Sequence, residues 1–114
     1  MDSINDPIEK TLIAYSKERL NCAQSVLKGF QAVFNIPEER IVEAKAHGGG
    51  RAEKGRCGAL HSALTLAKDG EEKARMACAF SEAAGAESCR EIKKIGKFSC
   101  ADCVELAAKL LTGK

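Results

Sequence analysis

Helix-starting signals punctuate this chain, and four of its six cysteines stand directly behind one. Asn21 precedes Cys22, Gly55-Arg56 precedes Cys57, Ser88 precedes Cys89 and Ser99 precedes Cys100. Asn and Ser are favoured at such positions because their side-chain oxygen accepts one of the backbone N–H groups that a first helical turn leaves unpaired. The pattern divides the chain into short helices and assigns four sulfurs to first turns.

The rest of the sequence agrees with helix. Eighteen alanines against four valines, with charges at three- and four-residue intervals, favour helix over strand. No segment alternates apolar and polar residues long enough to read as a strand. Asp6-Pro7 caps a first helix running to about Arg19, with Ile8, Leu12 and Tyr15 on one face. A second starts at Asn21 and carries Ala23, Val26, Leu27, Phe30, Val33 and Phe34 on one face until Asn35-Ile36-Pro37 ends it. Further helices are expected from Glu38 to Ala46, from Cys57 towards Asp69-Gly70, from Glu71 to Ala84, from Ser88 to about Ile95, and from Ser99 to Thr112. Ser99 with Asp102 makes a capping box in which Asp replaces the usual Glu or Gln. The expectation is an all-α fold: one small helical bundle of about five to seven helices, a single domain over residues 1–114.

Composition narrows the function. Charges of 18 Lys+Arg and 16 Asp+Glu leave a net +2, scattered rather than gathered in a stripe, and aromatics are only 4%. Neither an electrostatic footprint nor a stacking platform for nucleic acid is present. No apolar run has the length of a membrane span or a signal peptide, so membrane insertion is not expected and a cytoplasmic location is. In a compartment that keeps thiols reduced, a group of cysteines more often binds metal or does redox chemistry than forms structural bridges.

Cys22, Cys57, Cys89 and Cys100 are therefore the candidate redox or metal-ligating residues. A helix N-terminus carries partial positive charge and free N–H groups, which favours thiolate over thiol and is expected to lower these cysteine pKa values. If the four starts converge, they make a pocket suited to a negatively charged, sulfur-rich group. Cys78, between Ala77 and Ala79 in mid-helix, reads as a small buried hydrophobe. Cys103 lies one turn after Cys100 and shares its face, a secondary candidate that suits core packing beside Val104 and Leu106 as well as a spare-thiol role. A thioredoxin-type CxxC would need a βαβ setting, which this helical sequence lacks.

The segments Asn21-Cys22-Ala23-Gln24-Ser25-Val26-Leu27, Gly48-Gly49-Gly50 ahead of Cys57-Gly58-Ala59, Cys89-Arg90-Glu91-Ile92 and Cys100-x-x-x-Val104 together resemble the small bacterial and archaeal C_GCAxxG_C_C family, whose members are described as redox-active. The resemblance covers roughly residues 17–111 and carries the family's defining cysteines onto Cys22, Cys57, Cys89 and Cys100. Cys78 and Cys103 have no counterpart in that pattern. Ser62 stands where the family has a glycine, a departure expected to loosen a close helix contact. The resemblance implies redox activity without naming a reaction. A related domain accompanies haem in some multihaem cytochromes, but the chain has no Cys-x-x-Cys-His for covalent haem.

Other features are weaker. Gly48-Gly49-Gly50 with Arg51 and Lys54 lacks the GxxxxGK[ST] pattern of a phosphate loop and reads as backbone that passes close to a cluster or a helix. His47 and His61 have no partner at ligand spacing and read as solvent-facing. Lys93, Lys94 and Lys97 form a small basic patch that reads first as a solvated face and alternatively as a docking place for an acidic redox partner protein. The absence of a Ser-His-Asp set or paired carboxylates argues against a hydrolase. Three readings remain: an iron–sulfur cluster, 2Fe-2S being the simplest fit to four cysteinates, serving electron transfer; a metal-free thiol–disulfide or persulfide relay; and a structural zinc site, which the wide motif spacing disfavours. Ala-rich helix faces that pack closely also allow a homodimer.

Overall fold

The structure is a computed structural model and describes residues 6–47 and 55–112. In chain order the helices are α1 (Pro7–Ser16), α2 (Cys22–Gly29), α3 (Gln31–Phe34), α4 (Glu38–Glu43) running into a 3-10 turn (Ala44–His47), α5 (Gly58–Thr65), α6 (Gly70–Ala84), α7 (Cys89–Ile95) and α8 (Cys100–Thr112). The fold is all-α; among the described residues the extended backbone pairs at one isolated bridge, Arg56 with Ser88. No helix among them is long and apolar enough to cross a membrane.

Helices α2, α5 and α8 pack on one another at the centre, with α1 across α2 and α8 and with α6 against α5 and α8. Their contact faces are mostly small: Ala23 and Val26 on α2, Ala59, Leu60 and Ala63 on α5, Val104, Ala107 and Ala108 on α8, all fully buried. Small side chains let the axes approach, and the larger Phe30, Met76 and Phe80 fill the flanks. Ser62 is one of the close points. Its hydroxyl is buried and donates to the Ala23 carbonyl at 2.8 Å, so it joins α5 to α2 rather than loosening the contact. A buried serine is tolerated here because its one polar side-chain atom finds a backbone acceptor.

The caps fall where the sequence puts them. Asp6 accepts from the Ile8 N–H ahead of Pro7, Asn21 and Gln24 form a reciprocal capping box, and Ser99 and Asp102 form another at 3.0 and 3.1 Å. The expected single helix from Asn21 to Phe34 is instead two. Phe30 leaves helical geometry at φ −102°, ψ 10°, and Asn35 then turns left-handed at φ 53°. Asn tolerates that conformation, and the turn returns Ile36 to the core. Burial of Phe30 and Ile36 thus wins over helix continuity, leaving Val33 and Phe34 at 57% and 43% exposure instead of on the buried face. Cys78 also departs from expectation. It is exposed on α6, with Sγ 3.9 Å from Glu82 Oε2, because the buried stripe of that helix runs through Met76, Phe80 and Ala84. The glycine run 48–50, Arg51 and Lys54 lie outside the described residues.

Gly29 marks a close approach of α2 to α1. A Cβ there would run into the Thr11 hydroxyl and lie 2.7 Å from the Thr11 Cα, which no side-chain rotation relieves. Gly29→Ala is therefore expected to destabilise the fold by about 1–3 kcal/mol through overpacking, read as a lower urea midpoint at unchanged slope.

Candidate functional site

Five of the six cysteines line one pocket: Cys22, Cys57, Cys89, Cys100 and Cys103, with Ile92, Lys93 and Phe98 completing its wall. Each sulfur is delivered by a helix start or by the turn after one. Cys22, Cys89 and Cys100 are the first residues of α2, α7 and α8, Cys57 is the N-cap of α5, and Cys103 lies one turn into α8. The cavity between them is small, about 30 Å³. Cys57 and Cys103 are buried at its floor, Cys22 and Cys89 are half-buried, and Cys100 and Lys93 are exposed at the rim.

Local hydrogen bonds hold these starts in place. The Cys57 N–H donates to the Glu87 carbonyl at 2.7 Å, and Arg56 Nε pairs with Glu87 Oε1 at 3.3 Å. This pairing aligns the segment leading into α5 with the segment leading into α7, so Cys57 and Cys89, each following a bridged residue, begin their helices side by side. Gly85, left-handed at φ 95°, makes the turn out of α6 that brings Glu87 there. Asn21 Nδ2 donates to the Lys45 carbonyl at 2.9 Å and Gln24 Nε2 to the Ile41 carbonyl at 3.2 Å, fixing the start of α2 against α4 and its 3-10 turn. Ser88 caps α7 through the Glu91 N–H.

The thiols are also linked to one another. Cys57 is hydrogen-bonded to Cys103 on one side and to Cys22 on the other, and Tyr15 of α1 is hydrogen-bonded to Cys100. Tyr15 was legible only as part of an apolar face; its phenol reaches the site because α1 crosses α8. Cys103 is buried in the core and also lines the pocket. His61 lies on the far side of α5, in a groove with Arg40, Glu43 and Thr65, away from the sulfurs. The side chain of His47 is outside the described residues.

The acidities of Cys57 and Cys89 run against the expectation that a helix start lowers a cysteine pKa. Cys57 is pushed up to about 12, chiefly because its thiol proton is held by Cys103, with burial adding to this and the Cys22 hydrogen bond and the Leu60 N–H opposing it. Burial raises Cys89 despite the Lys93 ammonium. Burial also raises Tyr15, helped by Cys100 beside it. Cys103, one turn inside its helix, is lowered, because it accepts from Cys57. Desolvation and the company of other sulfurs outweigh the helix dipole.

Among the described residues no three or more His, Cys, Asp or Glu side chains form a group that could hold a metal ion. Cys57 links Cys22 and Cys103 by hydrogen bonds, and the exposed Cys100 lies at the rim of the same pocket.

The raised Cys57 pKa links to stability. Its contribution is complete below the ordinary value of 9.0 and is lost as pH rises from there towards about 12. Cys103, lowered, acts in the opposite sense and only below 9.0, so the falling limb is confined to higher pH. The urea midpoint is expected to drop above pH 9 in the native chain and to drop less steeply in Cys57→Ala.

Comparison with known proteins gives no matching family model, no similar curated protein and no similar solved structure.

Proposed function

We propose that the thiol pocket is a redox centre that holds an iron–sulfur cluster and exchanges electrons with a partner protein. The observation that carries this reading is the convergence of five sulfurs from four helix starts on one cavity that has no other ligand type in its wall. The order of cysteine motifs that resembles the C_GCAxxG_C_C family supports it from the sequence side. Cys22, Cys57, Cys89 and Cys100 are the ligands in this reading, and 2Fe-2S is the simplest cluster that takes four thiolates.

The donor set fits such a group in kind, since cysteine thiolates are the ordinary ligands of iron–sulfur clusters. The small cavity gains room at the rim, where Cys100 and Lys93 are exposed. A bound cluster would supply one-electron chemistry. The chain's own residues would set its character: Ile92 and Phe98 keep water from the floor, Tyr15 bonds Cys100, and first-turn N–H groups favour the more negative state. Lys93 at the rim and Lys94 and Lys97 nearby give an acidic partner protein a place to approach.

Protein purified without oxygen should be brown, bleach with dithionite, and contain iron and acid-labile sulfide in matching amounts. Cys22→Ser, Cys57→Ser, Cys89→Ser and Cys100→Ser should each lose the iron, while Cys78→Ser, exposed and remote, should keep it. Cys103→Ser should also keep it; loss there with retention in Cys100→Ser would exchange the two as fourth ligand. A colourless, metal-free protein that takes up no iron on anaerobic reconstitution would overturn the proposal.

A further inference from the structure

Four thiolates satisfy a two-iron cluster, and this pocket has five. The extra sulfur, Cys103, has no counterpart in the family pattern, yet it is buried at the pocket floor and hydrogen-bonded to Cys57. The two come from different helices, α8 and the N-cap of α5, which pack together at the centre of the bundle. Both are free thiols in this structure. A buried pair of touching thiols on well-packed helices has the proximity that a disulfide requires. It lacks direct access to solvent. Cys100 provides that access: it is exposed, lines the same pocket, and lies one turn before Cys103 on the same helix face.

We infer that the cluster-free chain is a thiol–disulfide exchanger for small anionic disulfides, in which Cys100 takes the substrate at the surface and Cys57–Cys103 is the disulfide finally formed. The Cys100 thiolate attacks one sulfur of the external disulfide; a mixed disulfide forms, the external S–S bond breaks, and one external thiolate leaves. Cys103 then attacks the Cys100 sulfur, expelling the second external thiolate. A Cys100–Cys103 bridge within one helical turn is strained, since residues three apart hold their Cβ atoms about 5–6 Å apart where a disulfide prefers about 3.8 Å. Cys57 relieves it by attacking the Cys103 sulfur, and Cys100 returns to its thiol. In sum two protein thiols are oxidised to one disulfide, one external disulfide is reduced to two thiols, and the two protein protons pass to the departing thiolates. Lys93 in the pocket wall, with the exposed Arg90, Lys94 and Lys97 on and beyond α7, favours a substrate bearing carboxylates.

This inference concerns the same pocket without its cluster, so it is judged separately: iron content reads the cluster, and disulfide mapping reads the thiols. Reduced, metal-free full-length protein is treated with oxidised glutathione under native conditions, quenched by alkylation, and mapped by proteolysis and fragmentation mass spectrometry, which distinguishes Cys100 from Cys103 within their shared peptide. The main product should be Cys57–Cys103, with both halves of the glutathione disulfide released as free thiol. Cys100→Ser should form the same bridge at least about tenfold more slowly, because access of the attacking thiol sets the rate. Cys103→Ser should stop at glutathione held on Cys100. Oxidised glutathione should outpace cystamine, its cationic counterpart, by at least about threefold at low salt and lose that lead at high salt. A main product joining Cys22 to Cys57 or Cys89 to Cys100, no bridge at all, or cystamine reacting as fast as glutathione would overturn the inference.

Discussion

The hydrogen bond from the Cys57 N–H to the Glu87 carbonyl, 2.7 Å long, ties together parts of the chain that are thirty positions apart. Without it the segments leading into α5 and α7 would be independent loops, and their cysteines would have no reason to meet. With it, and with the Arg56–Glu87 ion pair beside it, two helix starts are set side by side. The half-buried ion pair, still reached by water, contributes little stability by itself. Its role is register, because it joins the same two segments as the backbone bond. The Asn21 and Gln24 side chains do the corresponding work for α2, and close packing of α8 on α2 and α5 brings in the last two sulfurs.

Converging helix starts meet opposing electrostatic demands. Each start favours negative charge, but five acidic groups in one small cavity cannot all ionise, and burial penalises every charge that forms. The outcome is a partition. Cys57 keeps its proton and gives a hydrogen bond to Cys103, which becomes the more acidic of the two. A pocket in this condition holds protons that a bound cation would displace, so uptake of metal and release of protons are linked.

Local chemistry was legible in the sequence where a residue acts on its own neighbours. Asn21, Ser88 and Ser99 cap as their side chains require, and their following cysteines are therefore in first turns. What escaped the sequence depends on partners remote along the chain. The break at Phe30 follows from core burial of Phe30 and Ile36 against distant helices, which periodicity within one segment cannot register. Cys78 sits among alanines that are small enough for either surface or core, so its neighbours gave no sign of the exposed face it occupies. Ser62 looked like a defect because its acceptor, the Ala23 carbonyl, belongs to another helix. The place of Tyr15 and Cys103 at the site is likewise set by how α1 and α5 cross α8.

The account rests on five thiols surrounding one cavity, and the sulfur positions themselves are its most direct test. A crystal of the reduced protein, measured at long wavelength for the anomalous signal of sulfur, should show the Cys22, Cys57, Cys89, Cys100 and Cys103 peaks around a single pocket, with the Cys78 peak apart from them on the outer face of α6. Any of those five sulfurs found on a separate face of the bundle, or Cys103 directed away from Cys57, would contradict it.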